Sequence, residues 1–354
     1  MIIHDLQAAV ATLQPPVAID TEFHSEHRYH PKLLLVQIRD AAGQVLVIDP
    51  KATPDLSPLG QALSGLPLLL HAPFMDLPLL QRHAGLTPGT VLDPQVLAGF
   101  AGFGYPRGLG ELVREVLAEE LPGGQGLTDW NRRPLTPEQL DYAVADVRFL
   151  HRLTEALLAL LSPKGRELAR LATLEQSREA LTPTDPDTAW KAIPAARILD
   201  PVGRDALRRL AAWRELRARD RDQPPRQVAS DAALVDLCRR RPSSAEQMLK
   251  NRKFPKRLAK DLAEPLLGLL AEARPAADGW PDDHRARVRL AHAEACLQVH
   301  ATRLELTEGI ASRLLLPARL RTDLAVSAIS GLATPDLGWR SQVIPELSRL
   351  VTDL

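Results

Sequence analysis

A short proline-rich stretch, residues 182–187 with the sequence TPTDPD, separates two parts of the chain that differ in their patterns of apolar residues. Its two prolines lack a backbone N–H donor and interrupt both helices and strands. Before the stretch, β-type and helical patterns alternate, whereas only helical patterns occur after it. The chain is therefore predicted to fold as an α/β domain over residues 1–182, followed by an all-α part.

The first part carries four β-type segments that begin close to one another. They cover residues 17–23, 33–39, 45–48 and 66–71. Helical patterns follow at residues 74–83, 108–119, 136–160 and 164–180. Neighbouring strands followed by alternating strands and helices are typical of a mixed sheet with helices packed on its faces.

The second part contains two sets of helical patterns, separated by residues 275–279. The first set covers residues 203–221, 230–241, 243–250 and 254–273, with Asp231 and Ser243 where N-terminal caps are expected. The second set covers residues 282–299, 302–312, 317–328 and 339–352. We therefore expect one helical domain over residues 203–275 and a second over residues 280–354.

The net charge of the chain is zero, but its charges are unevenly distributed. Residues 1–185 contain 15 basic and 22 acidic side chains, whereas residues 186–275 contain 20 basic and 12 acidic ones. The basic middle favours binding of a polyanion, although a solvated helix face would have the same composition. The candidates for phosphate contacts are Arg239, Arg240, Arg241, Lys250, Arg252, Lys253, Lys256, Arg257 and Lys260.

The two cysteines, Cys238 and Cys296, are too few for a disulfide framework or a zinc site and predict reduced thiols. No apolar run approaches the roughly 18 residues of a membrane span. Residues 1–5 lack the basic start and apolar core of a secretory leader. These features predict a soluble, cytoplasmic protein with no membrane partner.

Two carboxylates in the first predicted strand form the first candidate site. Asp20 and Glu22 are two residues apart, so their side chains leave the same face of a strand, while Thr21 and Phe23 point to the other face. Adjacent carboxylates repel each other unless a cation neutralises them, and Mg²⁺ prefers such oxygen ligands. An exposed acidic pair at a strand end is the alternative interpretation.

Two further pairs carry candidate side chains. Tyr142 and Asp146 are four residues apart and share one face of a predicted helix, although a surface helix would carry the same pair. Asp76 falls in the first turn of a helix, where a negative charge is favoured whatever its function. His71 ends the preceding strand, and either a buried hydrogen-bonded ring or an approach to substrate would suit that position.

Together and in this order, these residues resemble the three motifs of the DEDD exonuclease superfamily, in its tyrosine-bearing branch. The motifs match residues 19–23, 71–76 and 142–146. Within that superfamily the chain is similar to the ribonuclease D family, through YHPKLLLVQ at 29–37, VLDPQVLA at 91–98 and TDWNRRPLT at 128–136. LAAWRE at 210–215 and DQPP at 222–225 resemble an HRDC domain, and the end of the chain resembles a second one. Residues 121–126, LPGGQG, depart from the family, whose members usually carry a lysine there.

This resemblance implies a ribonuclease H-like exonuclease domain that hydrolyses RNA from its 3′ end to nucleoside 5′-monophosphates. The implied ligands of two divalent ions, Mg²⁺ or Mn²⁺, are Asp20, Glu22, Asp76 and Asp146. Tyr142 would orient the attacking water. The candidates for contact with the terminal nucleotide are Thr21, Phe23 and His71. Precursors of transfer RNA are the implied substrates, and a monomer is expected.

Three other functions remain compatible with the sequence. A 3′→5′ DNA exonuclease would use the same carboxylates, because the motifs do not separate the two sugars. A non-catalytic RNA-binding protein with a decayed nuclease fold is disfavoured by the intact acidic residues and Tyr142. A helicase accessory or scaffold would rest on the HRDC resemblance alone, and the sequence contains no glycine-rich loop of the Walker type to support ATP use.

Overall fold

The structure is a computed structural model that describes residues 5–126, 128–250, 256–276, 280, 284–330 and 333–343; of residues 256–261, 284, 286 and 306–308 it describes the backbone alone. The strands are β1 (Val17–His24), β2 (Lys32–Arg39), β3 (Val45–Ile48), β4 (Leu68–Leu69) and β5 (Val91–Leu92). The helices of the first part are α1 (Leu6–Val10), α2 (Ser57–Leu63), α3 (Asp76–Ala84), α4 (Pro94–Phe100), α5 (Leu109–Leu117), α6 (Pro137–Arg148), α7 (Leu150–Leu160) and α8 (Pro163–Leu181).

Helices and short 3₁₀ segments make up the second part in the described ranges. The α-helices are α9 (Pro201–Asp220), α10 (Pro225–Val228), α11 (Asp231–Arg240), α12 (Ala245–Leu249), α13 (Lys256–Ala271), α14 (His284–Glu308), α15 (Ser312–Leu315) and α16 (Ala318–Ser330). The 3₁₀ segments are Pro186–Ala192, Pro194–Ile198 and Gly338–Gln342. No described helix is long and apolar enough to span a lipid bilayer.

The five strands form one mixed sheet in the order β3-β2-β1-β4-β5. β1 pairs antiparallel with β2, and β2 pairs antiparallel with β3, whereas β1, β4 and β5 run parallel. The predicted fold class, a mixed sheet followed by all-α modules, is therefore confirmed. The register between β1 and β2 shifts after Glu22, which lies opposite Leu35, while Phe23 lies opposite Leu33. This bulge bends the strand pair beside the acidic residues of β1.

The sheet lies between two layers of helices. On one face, Val17 and Ile19 of β1 pack into a buried cluster with residues of α1, α2 and α3. On the other face, Ala18 packs against Val147 and Leu150 of α6 and α7. Because side chains alternate along a strand, Asp20 and Glu22 leave β1 on the same face as Ala18, toward α6. The packing of the core therefore decides which helix the two acids meet.

Several elements differ from the predicted ones. α1, α2, α4 and β5 were not predicted, because segments of two to seven residues are too short for a periodic pattern. The helix predicted at 136–160 is divided at Phe149 into α6 and α7, and the helices predicted at 282–299 and 302–312 form one helix, α14. The N-caps of α11 and α12 are Ser230 and Ser244, one residue away from the predicted Asp231 and Ser243. Residues 344–352 of the last predicted helix lie outside the described ranges.

The two helical sets of the second part relate differently to the first part. Residues of α9, α11, α12 and α13 form a buried cluster of their own together with the 3₁₀ segments at 186–198. In contrast, α14, α15 and α16 contribute Leu297, Leu314 and Leu324 to the same cluster as α4, α5, α7 and α8 of the first part. The last helices therefore complete the hydrophobic core of the first part.

The loop between β1 and β2 joins the first helical set to the sheet. The hydroxyl of Tyr29 donates a hydrogen bond to Glu215, and Arg219 Nε donates to the same hydroxyl over 2.8 Å. The backbone N–H of His30 donates to Asp222 over 2.9 Å. The first helical set therefore contacts the loop that directly follows β1, the strand that carries Asp20 and Glu22.

Candidate metal and catalytic site

Three carboxylates from two elements converge beside the sheet. β1 supplies Asp20 and Glu22, and α6 crosses their face and supplies Asp146. One carboxylate oxygen from each of the three residues lies within 4.8 Å of the others. Asp146 is only 8% exposed, whereas Asp20 and Glu22 are partly accessible. The cluster is therefore open on the β1 side and closed by α6.

The spacing of these oxygens suits a divalent cation. Hard divalent ions bind oxygen ligands at about 2.0–2.6 Å, so two oxygens bound to one ion lie at most about 4–5 Å apart. The oxygens of the cluster, all within 4.8 Å of one another, are compatible with that upper bound. A cation would also neutralise three negative charges that otherwise repel one another. The residues of the cluster thus fit a hard divalent ion such as Mg²⁺ or Mn²⁺.

Asp76 belongs to α3, which packs on the face of the sheet opposite to α6. It is the first residue of α3 and is 8% exposed, and its Oδ1 accepts a hydrogen bond from the Thr21 hydroxyl. Thr21 lies between Asp20 and Glu22 but faces the other side of β1. Its hydroxyl therefore fixes Asp76 beside the two strand acids, and Asp76 contributes to the raised pKa of both.

All four carboxyls are harder to ionise than usual. Burial, and then the charges of Asp76, Asp146 and Glu22, raise the pKa of Asp20 well above its ordinary value. Burial and the charges of Asp146 and Asp76 raise the pKa of Glu22 to about 8. Burial raises the pKa of Asp146 to about 7 and that of Asp76 to about 6. Burial thus raises all four pKa values, and repulsion between the acids adds to the rise at Asp20 and Glu22, as expected of a site that favours a cation.

Tyr142 lies one helical turn before Asp146 and its hydroxyl donates a hydrogen bond to that carboxylate. Burial raises the pKa of the phenol, and the charges of Asp146, Glu22 and Asp20 raise it further. The phenol therefore stays protonated at neutral pH and acts as a donor. Gly126 borders this hydroxyl, since a Cβ at position 126 would lie 3.4 Å from it. The segment that departs from the family pattern, residues 121–126, thus ends beside Tyr142.

Local sequence explains why α6 begins where it does. Thr136 Oγ1 accepts a hydrogen bond from the backbone N–H of Gln139 over 3.2 Å, and Gln139 Oε1 accepts one from the N–H of Thr136 over 3.1 Å. This reciprocal capping box, followed by Pro137, fixes the first turn of the helix. The helix start determines which residues face β1, so it places Tyr142 and Asp146 on that side.

Arg133 connects the segment before α6 to the sheet and was missed by sequence reasoning. Its Nη2 donates to the backbone carbonyl of Leu34 over 3.0 Å and to Asp49 Oδ1 over 2.8 Å. Leu34 is the residue skipped by the bulge between β1 and β2. Arg133 thus satisfies a carbonyl that the irregular pairing leaves free. Its position within the TDWNRRPLT segment was the available signal.

The three residues expected to contact the terminal nucleotide have other described partners. Thr21 is 6% exposed and donates to Asp76. Phe23 is partly buried and packs against the core cluster on the α3 side of the sheet. Nδ1 of His71 is buried without a hydrogen-bond partner among the described residues, and burial lowers the pKa of this histidine to about 4. The neutral ring therefore favours a structural role for His71.

A cleft of about 1290 Å³ lies between the first part and both helical sets. Phe74 and Met75, the two residues before Asp76, line it and are 56% and 36% exposed. Three cationic side chains also line it and have no hydrogen bond or ion pair with another described residue: Arg82, Lys191 and Arg319. The cleft thus combines exposed apolar groups with unpaired positive charge, and two of its lining residues directly precede Asp76 in the chain.

The basic residues expected to bind phosphate are only partly described. Arg240 forms an ion pair with Asp236, and Arg241 forms one with Asp200, so both are engaged within the protein. Arg239 is exposed and Lys250 pairs weakly with Glu246 over 3.8 Å. The remaining candidates, residues 252, 253, 256, 257 and 260, have side chains outside the described set.

Comparison with known proteins relates both parts of the chain to nucleases. Residues 2–162 match the family described as 3′-5′ exonuclease, and residues 204–270 match the HRDC domain family. A ribonuclease D from Sphingobium indicum is 36% identical over 248 residues, which are 67% of this chain and 62% of that protein. The match therefore spans less than two thirds of that relative's length.

Two further similarities extend over nearly the whole chain. A ribonuclease D from a Jannaschia species is 31% identical over 358 residues, covering 95% of this chain and 89% of that one. The crystal structure of Escherichia coli RNase D, described as an exoribonuclease involved in structured RNA processing, superposes with a TM-score of 0.83. It is 26% identical, and the match covers 100% of this chain and 98% of that chain. The chain belongs to the ribonuclease D family.

Proposed function

We propose that the protein is a metal-dependent exoribonuclease that removes single nucleotides from the 3′ end of RNA. The observation that carries the proposal is the convergence of three carboxylate oxygens within 4.8 Å, with Asp76 and Tyr142 beside them, in a chain of the ribonuclease D family. A decayed, non-catalytic nuclease would have no reason to keep this costly cluster of mutually repelling acids.

Asp20, Glu22, Asp76 and Asp146 are the proposed ligands of two divalent ions. Bound divalent ions supply a Lewis acid for the phosphate oxygens and lower the pKa of a water at the scissile phosphorus. The protein's own contribution is to hold four acids in one place: two on β1, one fixed through Thr21, and one on a capped helix. The proposed product is a nucleoside 5′-monophosphate.

Tyr142 is proposed to orient the attacking water. Its hydroxyl is protonated at neutral pH, because burial and the neighbouring acids raise its pKa. A protonated phenol donates one hydrogen bond and accepts another, so it can hold a water while Asp146 anchors the phenol. Orientation rather than proton abstraction is therefore its proposed role.

The cleft beside Phe74 is proposed to hold the RNA upstream of its 3′ end. Exposed aromatic rings stack on bases without regard to sequence, and unpaired cations contact phosphates. Phe74 provides such a ring, and Arg82 and Arg319 provide charge on two walls of the cleft. The net positive charge of residues 186–275 adds a wider phosphate-binding surface.

The test of the main proposal is digestion of a 5′-labelled RNA with Mg²⁺, Mn²⁺ or a chelator. We expect a ladder of products that shorten by one nucleotide with either metal and no products with chelator. Asp20→Ala should reduce the rate by orders of magnitude while folding normally. Asp141→Ala, which alters an exposed acid on α6, is the matched control and should cleave at the wild-type rate. Intact 3′ ends under every metal condition would refute the proposal, and equal cleavage of a matched DNA would favour the DNA exonuclease instead.

The role of Phe74 is tested by Phe74→Ala with an RNA of about ten nucleotides. Stacking of one base on an aromatic ring is worth about 1–3 kcal/mol, so KM should rise about tenfold with a smaller change in kcat. Phe74→Tyr should retain the wild-type KM. Leu160→Ala removes a similarly exposed apolar side chain on α7 and serves as the control. An unchanged KM for Phe74→Ala would exclude stacking at this position.

The remaining proposals concern substrate, organisation and setting. Precursors of transfer RNA are the proposed substrates, in line with the structured RNA processing described for the E. coli protein. The proposed domains cover residues 1–182, 203–275 and 280–354, with the third completing the core of the first.

A monomer is proposed because helices of one chain cover each other's apolar faces. The free thiols Cys238 and Cys296 support a reducing, cytoplasmic setting.

A further inference from the structure

The turn between β4 and α3 holds an unfavourable backbone conformation just before Asp76. Ala72 has φ +53°, which is left-handed and costs a residue with a Cβ about 1–2 kcal/mol. The N–H of Phe74 donates to the carbonyl of Ala72 over 2.8 Å, and the N–H of Leu77 donates to the carbonyl of Pro73 over 3.1 Å. The turn therefore continues directly into the first turn of α3. Contacts from outside it must keep Ala72 in this conformation.

Asp93 supplies such a contact from the neighbouring parallel strand. Its Oδ1 accepts a hydrogen bond from the backbone N–H of Gln95 over 2.8 Å and another from the N–H of Ala72 over 3.1 Å. One carboxylate oxygen thus joins the first turn of α4 to the turn that precedes Asp76. Because Ala72 donates through its own N–H, the bond acts directly on the strained residue.

Asp93 is also an unusually isolated buried acid. It is 1% exposed, and no Lys or Arg among the described side chains forms an ion pair with it. Burial is the main reason that its pKa is raised to about 7. Burying a carboxyl without a cation is costly, and the hydrogen bonds from the backbone N–H groups of Gln95 and Ala72 offset that cost. Asp93 is therefore held by these two backbone contacts rather than by an ion pair.

Gln95 makes a further contact from the same turn of α4. Its Nε2 donates to the carbonyl of Arg107 over 2.9 Å. Nδ1 of His71, the residue before Ala72, is buried and has no hydrogen-bond partner among the described residues. The contact that holds Ala72 therefore comes from Asp93, through the N–H of Ala72.

We propose that Asp93 is a positioning residue for the metal site: its carboxylate holds Ala72 and thereby sets the position of Asp76 beside Asp20 and Glu22. The proposal rests on the proposed function, because it requires Asp76 to be a metal ligand. Asp93 acts through Ala72 and is not itself a proposed ligand. Without its carboxylate the turn would relax, and Asp76 would no longer be held where it could share a cation with the other three acids.

Asp93 has an ordinary role as well, since it is the N-cap of α4. A cap needs only the bond to Gln95, whereas the proposal needs the bond to Ala72. Asp93→Ser separates the two roles, because serine is a good N-cap whose shorter side chain does not extend to a second strand. Asp93→Asn keeps an oxygen in the position of Oδ1 and can accept both hydrogen bonds without a charge.

The experiment measures Mn²⁺ affinity by calorimetry, together with Tm and with kcat and KM on a short RNA, for the full chain and its variants. Asp40→Ser is the matched control. Asp40 is also 1% exposed and accepts from two backbone N–H groups, those of Gln44 over 2.7 Å and Gln14 over 3.0 Å. It lies at the turn between β2 and β3 and has no contact with the acidic cluster.

For Asp93→Ser we expect Mn²⁺ binding about 10- to 100-fold weaker and a lower kcat, with KM within threefold of wild type. Asp93→Asn should bind Mn²⁺ within threefold of wild type. Asp40→Ser should lower Tm but leave Mn²⁺ affinity unchanged. Wild-type Mn²⁺ affinity in Asp93→Ser, or equal losses in the serine and asparagine variants, would overturn the positioning role. If the wild-type protein itself neither binds Mn²⁺ nor shortens RNA, the proposed function fails as well.

Discussion

Replacement of Asp146 by Asn tests whether the acidic cluster destabilises the metal-free protein. Asp146 is 8% exposed, and Asn keeps its shape and an acceptor for the Tyr142 hydroxyl while removing the charge. Burial raises the pKa of Asp146 from 3.8 to about 7. A carboxyl whose pKa is raised on folding binds its proton more tightly in the folded state. It therefore removes stability as the pH rises from about 4 to about 7, and the full loss is present above pH 7.

The size of the effect follows from that change in pKa. One pKa unit corresponds to 1.36 kcal/mol, so a rise from 3.8 to about 7 amounts to about 4 kcal/mol at pH 8. The neighbouring carboxyls share protons, and removal of one charge lets the others ionise more easily, which reduces the gain. We therefore expect Asp146→Asn to be more stable than wild type by about 2 kcal/mol at pH 8 in chelator, and equally stable at pH 4.

The assay is urea unfolding followed by circular dichroism at pH 4 and pH 8 in the presence of a chelator. Asp141→Asn, an exposed neighbour on α6, is the control and should match wild type at both pH values. Saturating Mn²⁺ should reverse the order at pH 8, because only the wild-type cluster binds the ion tightly. Equal stability of Asp146→Asn and wild type at pH 8, or the same gain at both pH values, would refute the electrostatic reasoning.

Two further predictions concern the catalytic phenol and the shared core. Tyr142→Phe should lower the single-turnover rate about 100-fold, because the hydroxyl acts in the reaction rather than in binding. The Kd for RNA, measured by filter binding, should stay within threefold of wild type. A parallel loss of binding would contradict this role. Gly99→Ala should lower Tm by a few degrees, since the new Cβ would lie 2.4 Å from Leu314 Cδ1. The resulting overpacking should cost about 2 kcal/mol of folding free energy, which exceeds the gain in helix propensity. In a Leu314→Ala background the substitution Gly99→Ala should lower Tm less than it does in the wild-type chain. A higher Tm for Gly99→Ala alone would show that α15 shifts without cost.

Spacing along the chain predicted which side chains of the site share a face. Asp20 and Glu22 follow the period of a strand, and Tyr142 and Asp146 follow that of a helix. The distance between the two pairs is a tertiary property, because it depends on how α6 packs across β1. The bond from Thr21 to Asp76 could not be predicted either, since it depends on how α3 packs against the face of β1 that carries Thr21.

The fold was predictable where elements are long and periodic. β1, β2 and β3 lie close to the predicted ranges, and the mixed sheet follows from their order. β5 and α4 went unnoticed because β5 has two residues and α4 is a short apolar segment without a polar face. The supporting role of Asp93 between them was therefore hidden as well. The sequence signals for Asp93 were an acid after a short apolar run and before proline, and its position within the VLDPQVLA segment that resembles the family.

The contribution of α14–α16 to the core of the exonuclease-like part has a consequence for the order of events during synthesis. Ala172 of α8 and Leu290 of α14 belong to one buried cluster but are 118 residues apart in the chain. A ribosome that adds about 5–20 residues per second needs roughly 6–24 s to make that interval. During this time the apolar faces of α4, α5, α7 and α8 that pack against α14–α16 stay uncovered. The first part, although it precedes α14–α16 in the chain, therefore cannot complete its core until these helices have been made.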